Sequence, residues 1–235
     1  MTLVDIITYE SGLNEELGFW DYFFSTALTD SSHYFHTYLS KRLDSKLLFH
    51  SLPHALLPEG LDTYKILDVG SGPLPFLGRV IPNKTVHIIA VDKLANEYLM
   101  LYKKHKIYPP IIPIECSAEG LSELFPISHF DLVYARNSID HTQNPIVCIR
   151  EMMEVSKGRV LLEHRRNEGL RENYIGLHQW NFDCVDGRFV IRNRNWDAIC
   201  VNDVFPDWKV ECYITNEEEE NTDDWLVVSI TSQNT

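Results

Sequence analysis

Two short apolar runs, each closing on an aspartate, constrain the fold of this chain more than any other feature. Residues 65–72 read Lys-Ile-Leu-Asp-Val-Gly-Ser-Gly, and residues 86–92 read Val-His-Ile-Ile-Ala-Val-Asp. Ile66, Leu67 and Val69 make the continuous apolar text of a strand buried on both faces, as in a parallel sheet. Asp68 sits near the end of that strand, and Gly70, Ser71 and Gly72 follow at once. Glycine permits positive φ and carries no Cβ to hold a ligand away from the backbone. Asp92 closes the second run, and its two oxygens suit the neighbouring hydroxyls of a ribose. This layout predicts a nucleoside-bearing ligand held across the first crevice of an α/β sheet.

Beyond these runs the alternation continues. Ala95–His105 reads as a helix closed by Pro109-Pro110, and 111–114 as a third strand. Residues 130–135 give a fourth strand. Asn144-Pro145 opens a helix, with proline at its first turn, and Lys157-Gly158 closes it. Residues 159–163 give a fifth strand. Strands joined by crossover helices demand a mostly parallel sheet. Upstream, residues 1–61 are rich in aromatics, with a helix start expected at Asn14-Glu15-Glu16 and further helix between 29 and 49. Downstream, Asp186-Gly187 marks the turn of a hairpin, 196–204 a short helix, and 208–215 and 225–232 the last strands. Glu217–Glu220 reads as a solvated acidic loop.

A dinucleotide fingerprint would read G-x-G-x-x-G, and here Pro75 takes the place of the third glycine. The D-x-G-x-G text instead resembles motif I of the class I S-adenosylmethionine-dependent methyltransferases, and the resemblance runs from about residue 62 to 165. It implies a Rossmann-like, doubly wound, mostly parallel seven-stranded sheet with an antiparallel C-terminal strand, preceded here by an N-terminal helical extension. It further implies that S-adenosylmethionine is the cofactor. Asp68, Gly70, Ser71 and Gly72 would form the motif I turn. Asp92, followed by Lys93, would hold the ribose. Ser117, Ala118 and Glu119 would form the adenine turn after strand three, and Arg136 and Asn137 would follow strand four. Leu74 stands where many members have a third glycine, and Ser117 where many have an acid. In such proteins the extension, here 1–61, covers the cofactor mouth. Residues 62–235 would be the cofactor-binding domain, with an acceptor-side insertion at about 165–205.

Composition narrows the partners. A formal charge of −13 over 235 residues argues against nucleic acid or an anionic membrane as the bulk partner. Residues 159–194 go the other way, with seven arginines against five acids. That stretch is either a solvated surface or a cationic wall for an anionic acceptor. No run is long and apolar enough to cross a membrane, and Met1–Asp5 lacks the basic start of a signal peptide. Five scattered cysteines without a C-x-x-C pair suggest neither a zinc site nor a disulfide framework. The simple compartment is the cytoplasm, and a homo-oligomer is compatible with the text.

Methyl transfer is an in-line displacement, so the acceptor atom must be held about 3 Å from the methyl carbon. Three histidines fall near the carboxyl ends of the strands: His141 in the loop after strand four, His164 after strand five, and His178 in Gly-Leu-His-Gln-Trp-Asn-Phe. His141 has a structural alternative, ordering its loop. His178 is the foremost candidate for binding the acceptor. His33 and His36 lie one helical turn apart but lack the rest of a metal shell, and no metal is expected, including at Asp140, Glu163 and Asn137. The reading is therefore a methyltransferase for a small, polar or anionic acceptor, oxygen being the target. Two alternatives stand beside it: a non-catalytic protein that binds the cofactor, and an oxidoreductase using NAD or a nucleotide-sugar.

Overall fold

The computed structural model describes residues 6–216 and 224–233. Met1–Asp5 and Glu217–Glu220 lie outside the described residues. The strands are β1 (Thr63–Val69), β2 (Thr85–Asp92), β3 (Ile114–Glu115), β4 (Leu132–Arg136), β5 (Arg159–Arg165), β6 (Trp180–Val185), β7 (Arg188–Asn193), β8 (Ala198–Cys200), β9 (Trp208–Asn216) and β10 (Asp224–Ser232). The α-helices are α1 (Ile6–Thr29), α2 (Tyr34–Leu43), α3 (Ser51–Ala55), α4 (Ala95–His105), α5 (Leu121–Leu124), α6 (Pro145–Val155), α7 (Glu168–Arg171) and α8 (Val201–Val204). Seven strands form one sheet in the order β3-β2-β1-β4-β5-β10-β9, with β10 antiparallel to both neighbours. This is the mostly parallel, Rossmann-like α/β sheet anticipated from the sequence. A second sheet, β6-β7-β8, stands over the carboxyl end of β5. Strand order reverses between β1 and β4, and that is where the crevice of such a sheet opens.

The burial patterns explain the strand text. Ile66, Leu67 and Val69 are fully buried, because helices or loops cover both faces of β1. One face packs against α6 and the small sheet through Val133, Met152, Leu162 and Phe182. Helix α6 starts where Asn144 caps it, its side chain accepting from the Val147 N–H at 3.3 Å, with Pro145 next. On the other face Ile66, Leu132, Tyr134 and Leu161 meet Leu57, Leu77 and Ile81.

Four expectations are corrected. First, α1 begins at Ile6, so Asn14 is mid-helix and its amide donates back to the Glu10 carbonyl. Second, β3 is shorter and later than 111–114, since Pro109, Pro110 and Pro113 deny ladder donors before Ile114. Third, 196–204 divides into β8 and α8. Fourth, Cys184 of β6 and Cys212 of β9 form a disulfide that ties the two sheets. Their sequence separation of 28 hid a pairing made only in space.

One connection departs from simple alternation. Residues 70–84, between β1 and β2, contain no helix. The N-terminal segment fills that place. Leu48 bridges to Val80, the Phe49 N–H donates to the Val80 carbonyl at 2.8 Å, and the Arg79 N–H donates to the Leu47 carbonyl at 2.7 Å. Gly78 is needed for this approach, because a Cβ there would lie 1.9 Å from the Leu48 carbonyl oxygen. Ahead of this brace, α1 and α2 pack on α4 through Phe23, Phe24, Phe35 and Leu39. Most of the N-terminal aromatics are core, while Tyr22 and Tyr34 remain exposed.

Candidate active site

Helix α1 and the carboxyl ends of β1, β2, β4 and β5 enclose one cavity of about 880 Å³. Asp68, Gly70, Ser71, Gly72, Asp92, Lys93, the 117–119 turn, Arg136 and Asn137 all line it, as do His141 and His178. Residues chosen from scattered motifs therefore share one space.

The glycine turn is built differently from its sequence reading. Gly70 and Gly72 both have φ near +63°. A Cβ on Gly70 would lie 2.4 Å from the Ser138 Cβ, and one on Gly72 would lie 2.9 Å from the Trp20 ring. Protein neighbours, rather than a ligand, claim the space that the missing side chains leave. Ser138 in turn donates to the Val69 carbonyl at 3.0 Å, which locks the loop after β4 onto the end of β1.

Two aspartates define the β1–β2 side. Asp68 is 2% exposed, and its Oδ2 has no hydrogen-bond partner among the described residues. Burial raises its pKa to about 7, against the pull of the Arg42 guanidinium. An orphaned acceptor in the crevice fits a ligand that brings a donor, such as an amino group. Asp92 accepts from the Gly72 N–H at 2.9 Å, the Leu94 N–H at 2.9 Å and the Tyr98 hydroxyl at 3.1 Å. A carboxylate has about four lone-pair sites, so one stays open for a ribose hydroxyl. Glu16, facing Asp92 from α1, supplies a further acceptor in the same cavity. Burial pushes Asp92 up to about 6 despite its backbone donors. These residues fit an adenosyl ligand. They do not fit a dinucleotide, because no helix follows the glycine turn to present its N-terminus to a pyrophosphate.

The 117–119 turn carries a structural load as well. Ser117 caps the short helical turn at 118–120 and donates to Glu119 at 2.5 Å. Glu119 Oε1 accepts from the Gln143 and Asn144 N–H groups at 2.9 and 3.0 Å, fixing the start of α6. Asn137, at φ +49°, accepts from the Arg165 N–H through its side chain. Arg136 is stacked between Phe76 and Trp225, 4.2 and 4.0 Å from the ring centres, and pairs with Glu163 at 3.4 Å. Glu163 also accepts from the Tyr134 hydroxyl.

The three histidines surround Asp140. His141 Nε2 and His178 Nδ1 are 3.1 Å apart, and each is 3.5 Å from Asp140 Oδ2. His164 Nδ1 is 3.2 Å from Asp140 Oδ1. His164 is 1% exposed and stands edge-on to Phe182 behind Asp140, away from the cavity lining. Burial would raise Asp140, but the surrounding imidazoles hold it well below the usual carboxylate range. Burial opposes a proton on His178, and the neighbouring Asp140 overrides it, raising His178 to about 9. His33 and His36, by contrast, are committed to backbone. His33 caps α2 by accepting from the Phe35 N–H, and His36 Nδ1 lies 2.9 Å from the Ala27 carbonyl oxygen.

Sequence reading missed several cavity residues. Glu16, Trp20, Arg42, Glu168 and Trp225 reach the site from helices and strands remote in sequence. Only Glu168 left a signal, as an acid four residues past His164 and ten before His178. Four arginines of this stretch are paired: Arg165 with Glu168, Arg166 and Arg192 with Asp183, and Arg188 with Asp203. Of its seven arginines, Arg165 alone lines the cavity.

No protein-family model matches the chain, and neither does any curated protein. Solved structures match loosely. The CurJ carbon methyltransferase is 16% identical, with a TM-score of 0.48, over 75% of this chain and 50% of that one. An S-adenosylmethionine-dependent methyltransferase from Mesorhizobium loti is 14% identical, with a TM-score of 0.48, over 76% and 94%. A Haemonchus contortus phosphoethanolamine N-methyltransferase, in complex with S-adenosylhomocysteine, is 13% identical, with a TM-score of 0.48, over 74% and 50%. The chain thus spans about half the length of the first and third. At these values the chemistry must be argued from this chain's own residues.

Proposed function

We propose that this protein transfers the methyl group of S-adenosylmethionine to an oxygen atom of a small polar or anionic acceptor. One observation carries the reading. Asp68, whose Oδ2 is unpartnered, and Asp92 beside Glu16 line the same cavity as His141, His178 and Glu168. When bound, the cofactor supplies an electrophilic methyl group on a sulfonium. Asp92 and Glu16 accept from its ribose, and Asp68 accepts from its amino group. Trp20 and Phe76 shield the crevice from water, with Arg42 stacked over both, 5.7 Å from each ring centre. His178, protonated at neutral pH, draws an anionic acceptor oxygen toward the cavity rather than acting as a base. Arg165 at the rim adds a second cation.

Residues 1–61 are then a cap over the cofactor mouth, and the stretch at about 165–205 is the acceptor-side wall. The absence of a helix between residues 70 and 84 weighs against the oxidoreductase alternative. The first experiment is calorimetric titration with S-adenosylhomocysteine, with NADH as control. Wild type binds the first and ignores the second. Asp92→Ala abolishes binding while the fold stays intact by circular dichroism. Equal binding by this variant would remove the adenosyl assignment. A screen of anionic sugars and other small acids with methyl-labelled cofactor then identifies the acceptor.

A further inference from the structure

We infer that Asp140, His141, Glu168 and His178 form a site for a first-row transition-metal dication, set in the acceptor-side wall of the cavity. One ligand atom from each residue lies within 4.8 Å of every other. Ligands about 2.1 Å from a cation sit about 3 Å apart when adjacent and about 4.2 Å apart when opposite. The 3.1 Å between His141 Nε2 and His178 Nδ1 matches an adjacent pair.

Hydrogen bonding gives an independent pointer. Asp140 is 2% exposed and Glu168 is 4% exposed. Glu168 Oε2 lacks a hydrogen-bond partner among the described residues, and the Asp140 oxygens face imidazole nitrogens at 3.2–3.5 Å. Buried carboxylates are costly without donors, and an orphaned one calls for an ion or a bound group. His141 Nε2 and His178 Nδ1 lie 3.1 Å apart and both 3.5 Å from Asp140 Oδ2, so three candidate ligand atoms converge on one point.

The surrounding elements hold this geometry. Asp140 and His141 come from the turn at Ile139–His141, fixed by the Trp180 indole donating to the Thr142 carbonyl at 2.8 Å. Glu168 opens α7, and its other oxygen is 3.5 Å from Arg165 Nη1. The Gln179 amide donates to the carbonyls of Tyr174 and Gly176 at 2.8 and 2.9 Å, shaping the loop that carries His178. His164, behind Asp140, is placed as a supporting partner of a ligand carboxylate.

Two imidazoles with two carboxylates suit Mn²⁺ through Zn²⁺, whereas Mg²⁺ and Ca²⁺ take shells of oxygen. His141, Glu168 and His178 line the cavity, so free coordination positions face the space where an acceptor would lie. Coordination needs the neutral imidazole, so the cation would displace the proton that His178 otherwise carries, and it would take a hydroxyl or carboxylate oxygen of the acceptor. That role rests on the methyl-transfer reading, while the cation site rests on its four side chains.

The test uses full-length protein, stripped with chelator and titrated with Co²⁺, whose visible absorption reports nitrogen and oxygen ligands. One equivalent is expected to bind, to be displaced by Zn²⁺ and to be indifferent to excess Mg²⁺. Loss of a supporting partner at a metal site costs about 10- to 100-fold in affinity, and loss of a ligand at least as much. His141→Gln and His178→Gln should each weaken Co²⁺ binding by that factor or more. Each variant should keep the wild-type circular dichroism and S-adenosylhomocysteine affinity. His141→Gln serves if His178→Gln disturbs its loop. No Co²⁺ or Zn²⁺ binding by wild type in large cation excess overturns the site, as does unchanged affinity in both variants. Failure of S-adenosylhomocysteine to bind, with Co²⁺ bound as expected, overturns the methyl-transfer reading and upholds the site.

Discussion

Gly70→Ala tests how the crevice is built. Two separate costs arise at this position. The φ of +63° is the left-handed region, where a side chain costs about 1–2 kcal/mol. The new Cβ would also lie 2.4 Å from Ser138 Cβ and 2.5 Å from Ser138 Oγ, and overpacking of that kind costs about 1–3 kcal/mol. Gly70→Ala should therefore lose about 2–5 kcal/mol in urea unfolding, read as a fall in midpoint. Ser138→Gly removes both clashing atoms. By itself it loses the hydrogen bond to the Val69 carbonyl, worth about 0.5–1.5 kcal/mol. In the Ser138→Gly background, Gly70→Ala should retain only the backbone cost of about 1–2 kcal/mol. The double-mutant cycle should thus show a coupling of about 1–3 kcal/mol, the steric part alone. Additive effects would refute the view that Ser138 occupies the space over Gly70. A small loss in the single variant would refute the backbone part as well.

Three further outcomes follow from the carboxylates that line the cavity. Asp68 and Asp92 titrate at about 7 and about 6 when folded, above the unfolded value of 3.8 for both. Between about pH 4 and 7 the folded, cofactor-free protein therefore binds more protons than the unfolded chain. Through these two groups its stability should fall as pH rises across that window and level off above it. Asp68→Asn should flatten the slope in thermal melts, and an unchanged slope would show that Asp68 is not the group. Ribose hydroxyls donate to the ionised carboxylate, so S-adenosylhomocysteine affinity should rise through about pH 6, the value reached by Asp92 beside Glu16 and Tyr98. A flat affinity profile from pH 5 to 8 would contradict this. Glu119→Ala leaves the Gln143 and Asn144 N–H groups without their acceptor, a loss of about 1–3 kcal/mol measured by denaturation. Unaltered stability would show that water replaces the carboxylate.

The strands that carry the crevice were legible because their signals are local. Ile66–Val69 and Val86–Val91 are short apolar runs ending in turn residues, and the structure brackets them as β1 and β2. Asn144-Pro145 likewise marked the start of α6 to the residue. What escaped was decided by distant contacts. The residues at Asn14 looked like a helix start because an asparagine followed by acids is one, but α1 is already helical from Ile6, with Tyr9 buried ahead of that point. The missing helix after β1 has no local mark other than the run of prolines, Pro73 and Pro75. In the site, Asp92 could be read from its place at a strand tip. Glu16 and Arg42 could not, because α1 and α2 deliver them across the sheet. The histidines were named singly, and the fold adds that all three share one buried aspartate.

The bracing of residues 70–84 by the segment around Leu48 divides the N-terminal extension into two parts with unequal freedom to change. Residues of α1 and α2 meet the rest of the protein largely through side chains, which tolerate substitution when volume is conserved, Gly12 against Leu177 being an exception. The stretch from Leu47 to Phe49 meets it through backbone, at Arg79 and Val80 and over a glycine that admits no Cβ. Length is fixed there, since one inserted residue would shift every carbonyl past its donor. Substitution is therefore easier on the outer parts of α1 and α2 than insertion is in the brace, so a single contiguous extension holds both a tolerant part and a rigid one.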